Sequence, residues 1–149
     1  MDDQEKRDRQ MMELLNELRI ALPGVQILFA FLLTVPFSVR FTKLTGFQRT
    51  DYYITLVATT LCTACLIAPS AAHRLRFHKS DRAWLIESAN VLMLVGLGFL
   101  FFAMMGAVVL ISDVLFNGIK VWLYSGALAV VVASLWFARP LLRGDSSGP

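Results

Sequence analysis

The sequence predicts an all-α membrane protein: an up-down bundle of four transmembrane helices preceded by an N-terminal amphipathic interfacial helix. Three observations carry this. Charged residues make up only 17% of the 149, against 56% hydrophobic, and mean hydropathy is +0.61. A soluble domain carries about 25% charged residues. The charges also leave four neutral intervals, of 20 residues (20–39), 21 (52–72), 25 (88–112) and 18 (121–138). As helices these are about 27 Å or longer, close to the thickness of a hydrocarbon core. Finally, the connections are short, which makes successive helices antiparallel neighbours.

Residues 1–19 read as a cytoplasmic amphipathic segment. The start is acidic (Asp2, Asp3, Glu5), the apolar run is long, and no small-x-small cleavage pattern follows, so a permanent anchor is expected rather than a cleaved signal. On a helical wheel Leu14, Leu15, Leu18, Leu22 and Val25 share one face, and Glu13, Asn16 and Glu17 share another. Such a helix lies in the headgroup layer and then continues, or bends at Pro23-Gly24, into the bilayer.

The four-helix domain covers 20–138. Its first span, 20–39, is rich in Leu and Phe and faces lipid, with Pro36 marking its outer end. A polar loop from Arg40 to Asp51 precedes the second span, 52–72, where Thr60, Ala64, Ala68 and Ala72 recur every fourth residue. The loop His73–Glu87 is the most charged, and Ser80 or Asp81 can cap the third helix. In the third span, 88–112, Ala89, Gly96 and Ala103 recur every seventh residue. Asn117-Gly118 signals a turn before the fourth span, 121–138, which carries Ser125, Ala129 and Ala133. Stripes of small residues let helix backbones approach; they are the seams of the bundle itself or a homodimer face. Residues 139–149 form a cytoplasmic tail.

Charge sets the orientation. Lys6, Arg7, Arg9, Arg19, Arg74, Arg76, Lys79, Arg82, Arg139 and Arg143 fall on one side; Arg40, Lys43, Arg49 and Lys120 fall on the other. The positive-inside rule puts both termini in the cytoplasm of a multi-pass plasma-membrane protein. The net charge of +3 then matches anionic inner-leaflet lipid. Without a basic patch interleaved with stacking aromatics, nucleic acid is not an expected partner.

Little in the chain reads as catalytic, and no enzyme activity or cofactor is expected. Cys62-Thr-Ala-Cys65 has the C-x-x-C spacing of a thiol oxidoreductase, a remote alternative, but lies mid-span, where desolvation disfavours the thiolate. A zinc site from Cys62, Cys65, His73 and His78 fails on reach, because about three helical turns separate Cys62 from His73. No Asp, Glu, Lys, Arg or His lies centrally in a span, and proton-coupled exchange normally uses such a group.

Polar residues gather instead at the inner boundary: Glu17, Arg19, Gln26, His73, Arg74, Glu87 and Asn90. Functionally this is a site for headgroups, anions or a partner protein, with Arg19 and Arg74 binding and His73 sensing pH. Structurally it is an anchoring belt in which Glu17 or Glu87 pairs with Arg74. At the outer surface Asp113 closes the third span, where a carboxylate is disfavoured by the helix C-terminus; it caps the next turn or serves another purpose.

Several blocks carry a resemblance: Glu13-Leu-Leu-Asn-Glu-Leu-Arg19, Ala21-Leu-Pro-Gly-Val-Gln26, Leu28-Phe-Ala-Phe-Leu-Leu-Thr-Val-Pro-Phe37, Phe47-Gln-Arg49, Ile67-Ala-Pro69, His73-Arg74 and Asp113-Val-Leu-Phe116. Over about residues 10–118 the chain resembles a family of small actinobacterial four-span membrane proteins of unknown function. The resemblance implies no catalytic residues. Some members bear an automated sodium/proton antiporter label, which it would imply here. The expected function is a non-enzymatic membrane module whose cytoplasmic rim binds lipid headgroups or a partner. The alternative is a small, oligomeric ion transporter or channel.

Overall fold

Helix α1, Asp3–Thr34, runs unbroken through Pro23. At about 1.5 Å per residue α1 is ~48 Å long, and its first 16 residues precede the apolar part, Arg19–Phe37. Two 3-10 turns, Val35–Phe37 and Phe41–Lys43, lead to α2, Gly46–Leu75. Then come α3, Arg82–Leu115, and α4, Ile119–Ala133, which ends in a π-helical turn, Ser134–Ala138. This computed structural model describes residues 3–75, 82–116 and 118–138; among these, the side chains of 3–8, 10, 11, 14, 15, 18, 73, 75, 82–86 and 138 are not described. The expected caps Ser80 and Asp81, the turn residue Asn117 and the tail lie outside the described residues, as do the side chains of Leu14, Leu15 and Leu18.

The fold is all-α, with four helices and no strand among the described residues. All four are long and apolar enough to cross a membrane, over Arg19–Phe37, Gly46–Ala72, Glu87–Leu115 and Ile119–Phe137. Burial supports the same conclusion. Large apolar side chains such as Ile27, Phe31, Leu94, Phe102, Leu123 and Val130 point outward, while Gln48, Thr55, Thr59 and Ser125 are buried. A surface this apolar over a partly polar interior suits lipid rather than water.

Helices α2 and α3 form the most extensive pair; α1 packs on both, and α4 lies against α3. Accordingly 33% of the α2 span and 17% of the α3 span are buried but only 11% of the first and last spans, and α3 is the helix that touches the other three. Two apolar clusters hold α1, α2 and α3 together. Val25, Cys62, Leu66 and Met93 form the inner one, and Leu32, Tyr52 and Leu110 the outer one. Helix α4 starts from Gly118, whose φ of 70° lies in the left-handed region that favours glycine. Aromatic edges fasten it: Phe47 on Trp122, Phe116 on Tyr124 and Phe101 on Phe137.

Not every small-residue stripe is a seam. Ala89, Gly96 and Ala103 of α3 are buried, and Leu66 Cδ2 lies 3.0 Å from where a Cβ on Gly96 would stand. On α4, Ser125 is buried and Ala129 and Ala133 are half-buried. On α2, however, Thr60 and Ala64 are exposed, and Ala68 and Ala72 only half-buried. The seam of α2 is a different face, through Gln48, Thr55, Thr59, Cys62 and Leu66.

Candidate functional site

The inner-boundary residues are spread over three helices. Glu17, Arg19 and Gln26 lie on α1, Arg74 on α2, and Glu87 and Asn90 on α3, all with exposed side chains. His73 lies near the C-terminal end of α2, its side chain outside the described residues. Among the described residues no hydrogen bond or ion pair joins any two of these; the one ion pair is Arg9 Nε to Glu13 Oε1 at 3.2 Å on α1. The expected Arg74 pairing with Glu17 or Glu87 does not form, which leaves Arg19 and Arg74 facing outward. An open, shallow surface along α1 carries Arg9, Met12, Glu13, Asn16 and Arg19. These residues are spaced three to four apart and so share one helix face.

The outer end is more tightly organised. Thr45 and Gln48 form a reciprocal cap on α2: Thr45 N–H donates to Gln48 Oε1 at 3.0 Å, and Gln48 N–H donates to Thr45 Oγ1 at 3.3 Å. The cap turns Gln48 toward α3, where its Nε2 donates to Asp113 Oδ2 at 2.9 Å. Asp113 is therefore bound across the α2–α3 seam rather than capping its own turn. Asp51, one turn further along α2, stands within electrostatic reach of Asp113, and its Oδ2 is buried without a hydrogen-bond partner among the described residues.

The sequence points to Asp113 but not to Gln48 and Asp51, because the charges Arg49 and Asp51 read as part of the loop from Arg40 to Asp51. A signal was present: Thr45-x-x-Gln48 is a capping-box spacing, and it starts the helix ahead of Asp51. The two cysteines are free; Cys62 is fully buried among Val25, Leu66 and Met93, and Cys65 is half-buried.

Fold and boundary chemistry together define a polytopic helical membrane protein with polar groups at both ends of its spans. The chain belongs to DUF6328, a family of unknown function, whose model matches residues 2–140. Comparison with curated proteins and with solved structures gives no match.

Proposed function

We propose that this protein is a non-enzymatic module of the plasma membrane, both termini cytoplasmic, whose inner rim binds anionic lipid headgroups. The observation that carries the reading is that Arg19 and Arg74 are exposed and, among the described residues, not paired with any carboxylate of the chain. A guanidinium at the membrane boundary with no internal partner suits a phosphate, which it binds in a bidentate manner. The extension of α1 adds Asn16 on the same face as Arg19, beside the Arg9–Glu13 ion pair. Purification in native-lipid nanodiscs followed by mass spectrometry tests this. Anionic lipid retained by the native chain is expected to be lost when Arg19→Ala and Arg74→Ala are combined. Equal retention by the variant, or a retained protein in place of lipid, overturns it.

One observation favours a second reading, a small ion transporter: a carboxylate, Asp51, lies inside α2 and beside Asp113. That reading requires ion flux in proteoliposomes that falls on Asp51→Asn.

A further inference from the structure

One amide faces hydrocarbon without a partner. Gln26 of α1 is exposed, and among the described residues its side chain makes no hydrogen bond. Three charges fix its depth. Gln26 lies seven residues past Arg19. Its neighbour Val25 shares an apolar cluster with Met93, six residues past Glu87, and with Leu66, eight before Arg74. At about 1.5 Å per residue, all three rulers put this level about 9–12 Å inside the charged boundary. Even aimed straight at that boundary, a glutamine side chain covers about half the distance.

The other exposed polar groups of the spans are provided for. The hydroxyls of Thr34, Thr50, Thr60 and Ser134 each donate to a carbonyl three or four residues back. Asn90, the other exposed amide, lies only three residues past Glu87, within reach of the headgroups. Among the described residues Gln26 has neither remedy. An unsatisfied amide in hydrocarbon is costly, so a group from outside the chain must meet it.

The surrounding face suits a helix. Pro23, Gln26, Ala30 and Leu33 recur at intervals of three and four residues and are all exposed. They lie on the side of α1 away from Val25 and Leu32, which are buried against α2 and α3. Such spacing is the seam of a left-handed helix pair, and Ala30 lets the backbones approach. Chemistry selects the partner. A primary amide carries both donors and an acceptor, so two glutamines satisfy each other. Every copy inserted the same way holds Gln26 at the same depth, and a twofold axis along the membrane normal sets the two amides opposite one another. Lipid tails offer neither donor nor acceptor. The Arg19 side chains of two such copies stay at the boundary, where headgroups and salt screen them and helices that cross at Gln26 have begun to diverge.

We propose that the protein forms a homodimer in the membrane through α1, Gln26 of each copy hydrogen-bonded to Gln26 of the other across a seam of Pro23, Ala30 and Leu33. The pairing does not depend on lipid binding at the rim.

Energy transfer between donor- and acceptor-labelled full chains in liposomes, over a range of protein-to-lipid ratios, is the test. The native chain is expected to dimerise as the ratio rises. Gln26→Leu keeps the bulk of the side chain and removes the amide; it should weaken the dimer by about tenfold, the worth of two interhelical hydrogen bonds in a membrane. Gln26→Asn keeps an amide and should lose less. Ala30→Ile, which forces the backbones apart, should weaken pairing too, whereas Phe31→Ala, exposed but off the seam, should leave it unchanged. On mild oxidation Ala30→Cys should crosslink to its own copy and Phe31→Cys should not. A native chain that stays monomeric at every ratio, with or without another protein bound, overturns the proposal. So does a Gln26→Leu chain that pairs as tightly as the native one.

Discussion

At two places along the seam of the two central helices, contact depends on a missing side chain. A Cβ on Gly106 would collide with Thr55 Oγ1 and lie 3.2 Å from Thr55 Cβ, atoms of a stiff, β-branched residue 1% exposed. At Gly96 the obstacle is Leu66 Cδ2 at 3.0 Å, the end of a longer and more compliant side chain. The same Gly→Ala change should therefore differ in cost at the two positions. Gly106→Ala is expected to destabilise by about 1–3 kcal/mol, the usual range for overpacking, and Gly96→Ala by clearly less. Combining Gly106→Ala with Thr55→Ala should recover most of the loss, because the colliding oxygen is removed. Unfolding in mild detergent measures all three variants; equal costs at the two glycines would contradict this account of the seam.

The same logic extends to how the elements are joined. Pro36 has no N–H to give the carbonyl of Leu32, four residues back. Tyr52, 6% exposed, supplies a replacement: its hydroxyl donates to Leu32 O at 2.9 Å, which ties the end of α1 to the start of α2. The Phe41 ring stands edge-on to Tyr52 at 5.6 Å and closes the corner. Tyr52→Phe should cost about 1 kcal/mol, the worth of one buried hydrogen bond. Thr45→Ala should cost a similar ~1 kcal/mol by removing the cap of α2. Both effects should appear as faster amide exchange in the first turns of α2, with the inner half of the helix little changed.

These elements also show why some features were legible in the sequence and others were not. Neutral intervals of 18 to 25 residues announce spans because no soluble packing explains four of them. Which face of a span turns inward is harder to read. Lipid accepts an alanine as readily as a protein seam does, so Thr60, Ala64 and Ala68 had the right spacing on the wrong face. Polarity alone does not mark it either: Thr59 is buried and Thr60 exposed, because a helical threonine can return its hydroxyl to the carbonyl four residues back, as both do.

For the whole molecule, the proposed orientation rests on the distribution of charge. Ten Lys and Arg flank the inner ends of the spans and four the outer ends. The translocation bias counts such residues in short loops near the spans, and the connection between α1 and α2 is of that kind. The orientation proposed from charge gives the two polar sites opposite environments: Arg19 and Arg74 face anionic lipid, and the Asp51–Asp113 end faces the exterior. Single-cysteine labelling tests both assignments at once. Lys43→Cys and Lys120→Cys, whose native side chains are exposed, should react with an impermeant maleimide added to intact cells. Arg74→Cys should react only after the membrane is opened. The native chain is the control: Cys62 is buried and Cys65 half-buried within α2, so both should stay unlabelled under either condition. Labelling of Arg74→Cys in intact cells would invert the bundle, place the headgroup rim outside, and remove the anionic leaflet on which the proposed function rests.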